Sequence, residues 1–491
     1  MGKNLKERTK IAVFWNIFNI LFSKTSRLIT SIILARLLFP EDFGLYGVSL
    51  IVIRLGRRIS NFGFSTVLVQ KDEINRAEID TIFTASFVLN LAVFSVLLAG
   101  APYFARFVHN KAVVDLVRVI ALTFIFNTFI MVGESLLKRE MDFKHISIAR
   151  SVRSAANYAT AIVMALLGFG VWSLIGGEVV AVLVNMVLVL AFARWMPRLR
   201  YYHAVFKKLY SYGMRVSAVD YLNYFINNVD YMLIGRYLDM TALGYYERAF
   251  NLMSLTRRQV GRSMNEALFS AFSRIKNDPQ RIVRNLKQIV NYTALIAYPV
   301  LIGLIFLAPS LVYNLYGPKW ILTIKPLQIM CISGLFQTLI TGFFSVIYAL
   351  DFVTDRIKAQ VVYLVLLTLI IYALIPYGIN GVAWAVVIAS SVYVGLILRI
   401  MVVRLPFTLL DFWQTQKGPF LYGLVQIVFS WIALKIALPF VEVTSIPMFF
   451  ILAGASILAL LTAHLIFRNE GYSRLLAEVT GVFFKKKNGS Q

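Results

Sequence analysis

Apolar runs of about 20 residues, each long enough for one membrane crossing, recur from Ile11 almost to the end of the chain. No other feature limits the fold as strongly. A helix of that length spans ~30 Å of hydrocarbon, and it satisfies its own backbone where no water is available. The residues are 59% hydrophobic and 15% charged, whereas a soluble chain devotes about a quarter to charge. The expectation is an all-α membrane protein with about 14 transmembrane helices. The expected spans are 11–36, 43–67, 79–101, 112–136, 145–168, 170–193, 211–237, 242–270, 288–309, 322–349, 357–376, 378–403, 418–439 and 445–467. The basic N-terminus, MGKNLKERTK, runs directly into the first span without a small-residue cleavage site, so that span reads as retained.

The single cysteine, Cys331, excludes an intrachain disulfide and a thiolate cluster. His109, His145, His203 and His464 show no ligand spacing, so neither a metal nor a cofactor is expected. There is no GxxxxGK[ST] loop and no large extramembrane segment, and the chain reads as a non-enzyme. The net charge of +25 suits anionic lipid better than nucleic acid, because the basic loops lack interleaved aromatics and a soluble fold. Its distribution sets the topology. Connections such as Phe39-Pro40-Glu41-Asp42, Gly168-Phe169-Gly170 and Asp239-Met240-Thr241 are almost free of Lys and Arg. The alternate connections carry about 28 Lys and Arg, termini included, against about 4 on the other side, which puts both termini in the cytoplasm.

An internal repeat organises the chain. Ala35-Arg36-Leu37-Leu38 with Gly44-Leu45-Tyr46 returns as Gly235-Arg236-Tyr237-Leu238 with Gly244-Tyr245-Tyr246, and Arg57-Arg58 returns as Arg257-Arg258 at the same offset. Six crossings separate the copies, so the repeats are parallel. The expected domains are an N-lobe of six helices over 1–194, a cytoplasmic linker over 195–210 and a C-lobe of six helices over 211–404. Residues 405–491 add two C-terminal helices and a basic tail.

Charges inside the spans mark the candidate site, because a guanidinium in mid-membrane costs several kcal/mol unless it faces water or a partner. Arg54, Arg57 and Arg58 share one face of the second span at i, i+3 and i+4. Arg257, Arg258 and Arg262 occupy the eighth span, and Lys24 and Arg27 the first. Two readings stand. Either these cations line a cavity for an anionic ligand, since the guanidinium fork suits phosphate, or they pair with acids such as Glu178, Asp220, Asp230, Glu247 and Glu266. Asn223 and Asn227, among the tyrosines of the seventh span, suit a sugar-lined path or interhelical hydrogen bonds. Asp220 and Glu178 are candidates for ion coupling.

Several segments resemble the bacterial polysaccharide flippases, the polysaccharide-transporter branch of the multidrug/oligosaccharidyl-lipid/polysaccharide exporter superfamily. They are Ile33-Leu34-Ala35-Arg36-Leu37-Leu38 with Phe43-Gly44-Leu45-Tyr46, and Phe62-Gly63-Phe64-Ser65 with Val67-Leu68-Val69-Gln70. Lys138-Arg139-Glu140-Met141-Asp142-Phe143, Leu243-Gly244-Tyr245-Tyr246-Glu247-Arg248-Ala249 and Ala267-Leu268-Phe269-Ser270-Ala271-Phe272-Ser273-Arg274 complete the set. The resemblance implies alternating access between two six-helix lobes in the bacterial inner membrane. It also implies transfer of an undecaprenyl-pyrophosphate-linked oligosaccharide to the periplasmic leaflet, with a polysaccharide polymerase and export machinery as further partners. The alternatives are a drug or cation exporter of that superfamily, which would want an acidic cavity, a lipid II flippase, and a non-transporting scaffold for polysaccharide synthesis.

Overall fold

The computed structural model describes residues 25–60, 74–203 and 217–467, together with Trp15, Ser23, Ser65, Leu68, Val69 and Lys71; over 217–221 and 255–271 it describes the helical backbone alone. Every regular element among the described residues is helical. In chain order these are α1 (25–37), α2 (Pro40–Ser60), α3 (Arg76–Phe107), α4 (Ala112–Ala121), α5 (Thr123–Arg139), α6 (Phe143–Leu166), α7 (Trp172–Ala193), α8 (Ser217–Ile226) and α9 (Val229–Tyr237). They continue as α10 (Met240–Arg274), α11 (Pro279–Tyr316), α12 (Ile324–Leu339), α13 (Thr341–Ala349), α14 (Val353–Leu374), α15 (Gly378–Arg404), α16 (Leu409–Ala437) and α17 (Ile446–Phe467). Eight helical stretches among the described residues are long and apolar enough to cross a membrane. Contacts divide the chain into two compact units, 1–244 and 245–491.

Where the described helices meet the expected spans, many of the differences lie at their ends, where capping rather than hydropathy decides, and the fourth, seventh and tenth expected spans are each broken into two helices. Residues 40–42, expected in a loop, open α2: Pro40 stands in the first turn, where a proline costs no hydrogen bond, and the Asp42 carboxylate accepts the Phe39 N–H at 2.8 Å. The Asp239 carboxylate accepts the Ala242 N–H at 2.6 Å at the start of α10. α11 and α16 extend well before the apolar stretches expected at 288 and 418. Asp278 caps the first, and a Thr408–Asp411 capping box opens the second. Asn227 and Asn228 interrupt the seventh span between α8 and α9.

In the first unit, segments related by the 200-residue offset meet reciprocally. A Cβ on Gly44 would lie 1.7 Å from the Met240 carbonyl oxygen, and one on Gly244 would lie 1.8 Å from that of Pro40. Only glycine permits this approach of two helix starts. Residues 194–203 fold back on α3, where Trp195 meets the Phe83 ring edge-on at 5.3 Å and Thr84 donates to the Arg200 carbonyl at 2.9 Å.

In the second unit α11 is the spine for the two C-terminal helices. Asn291 donates to the Thr415 carbonyl at 2.7 Å, Gln426 to that of Pro299 at 2.9 Å, and Asn314 to that of Thr444 at 2.6 Å. Amide bonds of this kind hold helices together where apolar burial gives no preference over lipid. α14 and α15 run antiparallel, with Arg404 closing their shared end on Asp355 at 2.8 Å.

Candidate functional site

In the first unit three helices converge on one carboxylate. Glu178 is the only charged residue of α7. Arg57 of α2 donates from Nη2 to Glu178 Oε1 at 2.8 Å, and Arg153 of α6 reaches the same oxygen from Nη2 at 3.2 Å. Asn157, one turn beyond Arg153, donates to Oε2 at 3.2 Å. The Glu178 side chain is 14% exposed, whereas those of Arg57 and Arg153 are 38% and 34% exposed. The acid is therefore the enclosed member and the arginines are the more exposed ones.

Local sequence explains why the acid reaches this position. Glu178 follows Gly176-Gly177. A Cβ on Gly177 would lie 2.8 Å from the Asn157 carbonyl oxygen, so the glycine lets α7 press against α6 beside the carboxylate. Two mid-helix glycines cost roughly 1 kcal/mol each relative to alanine. The cost is offset by an ion pair that would otherwise leave charge unpaired in an apolar frame.

The remaining cations extend the cluster. Arg54 donates to Asn228 Oδ1 at 3.3 Å, and the Arg58 guanidinium lies 5.8 Å from the centre of the Tyr224 ring. Tyr224 is itself fixed by donating to the Ile51 carbonyl at 2.7 Å. Arg150 of α6 takes Glu134 of α5 through Nη2 at 2.6 Å, and Lys138, one turn along α5, lies 3.8 Å from the same carboxylate. Among the described side chains of these faces, four cations, Arg57, Arg153, Arg150 and Lys138, share two carboxylates, Glu178 and Glu134. Within these described pairs each carboxylate meets two cations.

The expected residues thus fall into four groups. Arg54, Arg57, Arg58 and Glu178 belong to one network, with Glu178 a partner of Arg57. Asn227 donates to the Asn223 carbonyl at the break between α8 and α9, and Asn228 is the amide that meets an arginine. Arg27 is exposed on α1. Lys24 lies outside the described residues, as do the side chains of Asp220, Arg257, Arg258 and Arg262. Arg150, Arg153, Asn157 and Glu134 were not anticipated. Their signal was present, since Arg150, Arg153 and Asn157 repeat the i, i+3, i+7 spacing of a single helix face.

The second unit treats a guanidinium differently. Arg356 of α14 is 8% exposed, and its guanidinium lies 4.2 Å from the centre of the Phe344 ring and 4.9 Å from that of Tyr348. Its Nε and Nη1 are buried without a hydrogen-bond partner. No carboxylate among the described residues pairs with it. Arg248, also 8% exposed, lies over the Tyr316 and Trp320 rings.

Against known proteins, a family model described as polysaccharide biosynthesis protein matches residues 33–325, more than half of the chain. The chain belongs to the polysaccharide biosynthesis protein family. Among the relatives of this polysaccharide biosynthesis protein is the lipopolysaccharide biosynthesis protein WzxC of Escherichia coli (strain K12), 24% identical over 68% of each chain. The succinoglycan biosynthesis transport protein ExoT of Rhizobium meliloti is 26% identical over 65% of each. The teichuronic acid biosynthesis protein TuaB of Bacillus subtilis is 22% identical over 74% of this chain and 76% of its own. The fold is shared with the lipid II flippase MurJ in its inward closed conformation, at a TM-score of 0.72 and 16% identity over 94% of this chain and 100% of that one. An inward-facing multidrug resistance MATE family transporter of the MOP superfamily matches at 0.61, with 15% identity over 80% of this chain and 96% of its own. This polysaccharide biosynthesis protein is a multi-pass membrane protein, and the flippase resemblance drawn from its motifs agrees with the family model and these relatives.

Proposed function

We propose that this chain is a flippase without covalent chemistry. It carries an undecaprenyl-pyrophosphate-linked oligosaccharide from the cytoplasmic to the periplasmic leaflet of a bacterial inner membrane, for export of a surface polysaccharide. In this reading fourteen spans form two parallel six-helix lobes, over 1–194 and 211–404, with two appended helices and both termini in the cytoplasm. The lobes alternate their access between the two leaflets.

The observation that carries the reading is the cation excess in the first unit. Arg57 and Arg153 share Glu178, and Arg150 and Lys138 share Glu134, so each carboxylate of this apolar helical frame faces two cations. Moving a pyrophosphate through hydrocarbon is costly because its charge loses its hydration. Guanidinium groups replace that hydration with charge-assisted hydrogen bonds. The same excess disfavours a drug or cation exporter, whose ligand these groups would repel.

The test is export in cells carrying Arg57→Ala/Arg58→Ala, with membrane levels checked. The reading expects loss of surface glycan and accumulation of the carrier lipid in the cytoplasmic leaflet. Normal export from properly inserted protein would overturn it.

A further inference from the structure

Each arginine on Glu178 holds it through a single nitrogen. Arg57 and Arg153 both present Nη2 to the same oxygen, Oε1, and neither forms the two-pronged fork that a guanidinium makes with an ideally placed carboxylate. Arg57 keeps Nε buried without a partner. Two cations therefore crowd one oxygen, and their hydrogen-bonding capacity exceeds what the carboxylate accepts, since a guanidinium carries five N–H groups. The cargo's pyrophosphate, esterified at both ends, offers two non-bridging oxygens on each phosphorus and can take a fork from each arginine. The geometry points to Glu178 as a resident anion: it occupies the seat that a phosphoryl group of the cargo takes, and the cargo displaces it from Arg57 and Arg153.

This inference rests on the flippase reading and adds to it a role for Glu178, that of a displaceable competitor, and a role for Asn157, which holds it. The carboxylate supplies what a phosphate-binding site in a membrane otherwise lacks when empty. Without it, two guanidiniums would face each other with no counter-charge. With it, the empty site is balanced closely enough to persist and held weakly enough to exchange. Glu178 also sets a limit on affinity, because every phosphate that binds must first displace it. A carrier that must release its cargo gains from such a competitor. Weakening the bound state lowers the depth from which release begins.

The site is built for this exchange. Glu178 is the enclosed partner, and the two arginines are each about a third exposed, so an incoming anion meets the guanidiniums before it meets the acid. Asn157 holds Oε2, the oxygen that neither arginine contacts. It gives the displaced carboxylate a hydrogen bond on the α6 side, and Gly177 keeps that contact close.

The experiment is equilibrium binding of farnesyl pyrophosphate to the full chain in detergent micelles, with farnesol as the uncharged control, alongside glycan export in cells. Glu178→Gln keeps the shape and removes the competing charge. The expectation is tighter binding by about 10-fold, the value of roughly one charge-assisted hydrogen bond, together with slower export. Arg153→Gln weakens binding by a similar factor. Glu178→Asp keeps the charge but shortens its reach, so it also tightens binding; it serves if the Gln variant does not fold. A brace that merely aligns the arginines would do the reverse, and weaker or unchanged binding in both Glu178 variants overturns the inference. If Arg57→Gln still loses binding in that case, the flippase reading stands without it. If the wild type binds farnesyl pyrophosphate no better than farnesol and Arg57→Ala/Arg58→Ala exports normally, both fall together.

Discussion

Arg57 in the first unit and Arg356 in the second are each an arginine within a largely apolar helix, and the protein handles them in opposite ways. Arg57 is about a third exposed, shares a carboxylate with Arg153 and meets it through one nitrogen. Arg356 is nearly enclosed, lies over Phe344 and Tyr348, and pairs with no described carboxylate. A guanidinium held by ring faces has nothing that a ligand can displace, since the rings are covalently part of the fold. One held by a carboxylate has a partner of the same chemical kind as phosphate. The first arrangement serves packing, and the second leaves room for exchange.

Several substitutions would break or sharpen this contrast. The largest effect is expected from Arg57→Ala/Arg58→Ala. Two charge-assisted contacts are lost, at about 1.5–3 kcal/mol each, so export measured as surface glycan falls by about 100-fold or more. The apparent melting temperature moves little, because both side chains are partly exposed. The converse is expected at Arg356. Arg356→Met keeps much of the volume but removes the cation from two rings, so stability drops by about 1–2 kcal/mol, read as a lower melting temperature in detergent. Export per folded molecule stays near the wild-type level. If Arg356→Met abolished export without lowering the melting temperature, the distinction between the two sites would collapse.

Gly177→Ala is intermediate in kind and smaller in size. The new methyl meets the Asn157 carbonyl oxygen at 2.8 Å and pushes α7 from α6. An overpacking cost of about 1–3 kcal/mol is expected, with export and melting temperature falling together. The smallest effect is ionic. Raising salt weakens anion binding at the part-exposed arginines by a few-fold, because their field is screened over ~10 Å at 0.1 M. The melting deficit of Arg356→Met does not change, since the rings exclude the added ions.

These two sites also mark how much was legible in the residues alone. The helices were legible because lipid demands a long apolar run, and such a run has few alternatives. The Arg54, Arg57 and Arg58 face followed from helical spacing. Which acid they meet did not, since Glu178 lies 121 residues from Arg57 and spacing along the chain does not rank Glu178 against Asp220 or Asp230. Arg153 carries the same spacing signal within α6 but stands outside the repeated positions. The repeat has no counterpart for it. Arg356 stands on a different helix from its rings, and only the packing of α13 on α14 reveals that a lone arginine is sheathed rather than exposed.

The reciprocal approach of Gly44 to Met240 and of Gly244 to Pro40 has a further consequence. Residue 40 meets 244 while 44 meets 240, which is the isologous pattern that two identical subunits form across a dyad. Here a single polypeptide makes it with its own second copy of the motif. A side chain added at either glycine therefore strikes the backbone of the sibling segment in the mirrored way. The two helix starts therefore answer to each other as the halves of a homodimer do, although they lie in one polypeptide.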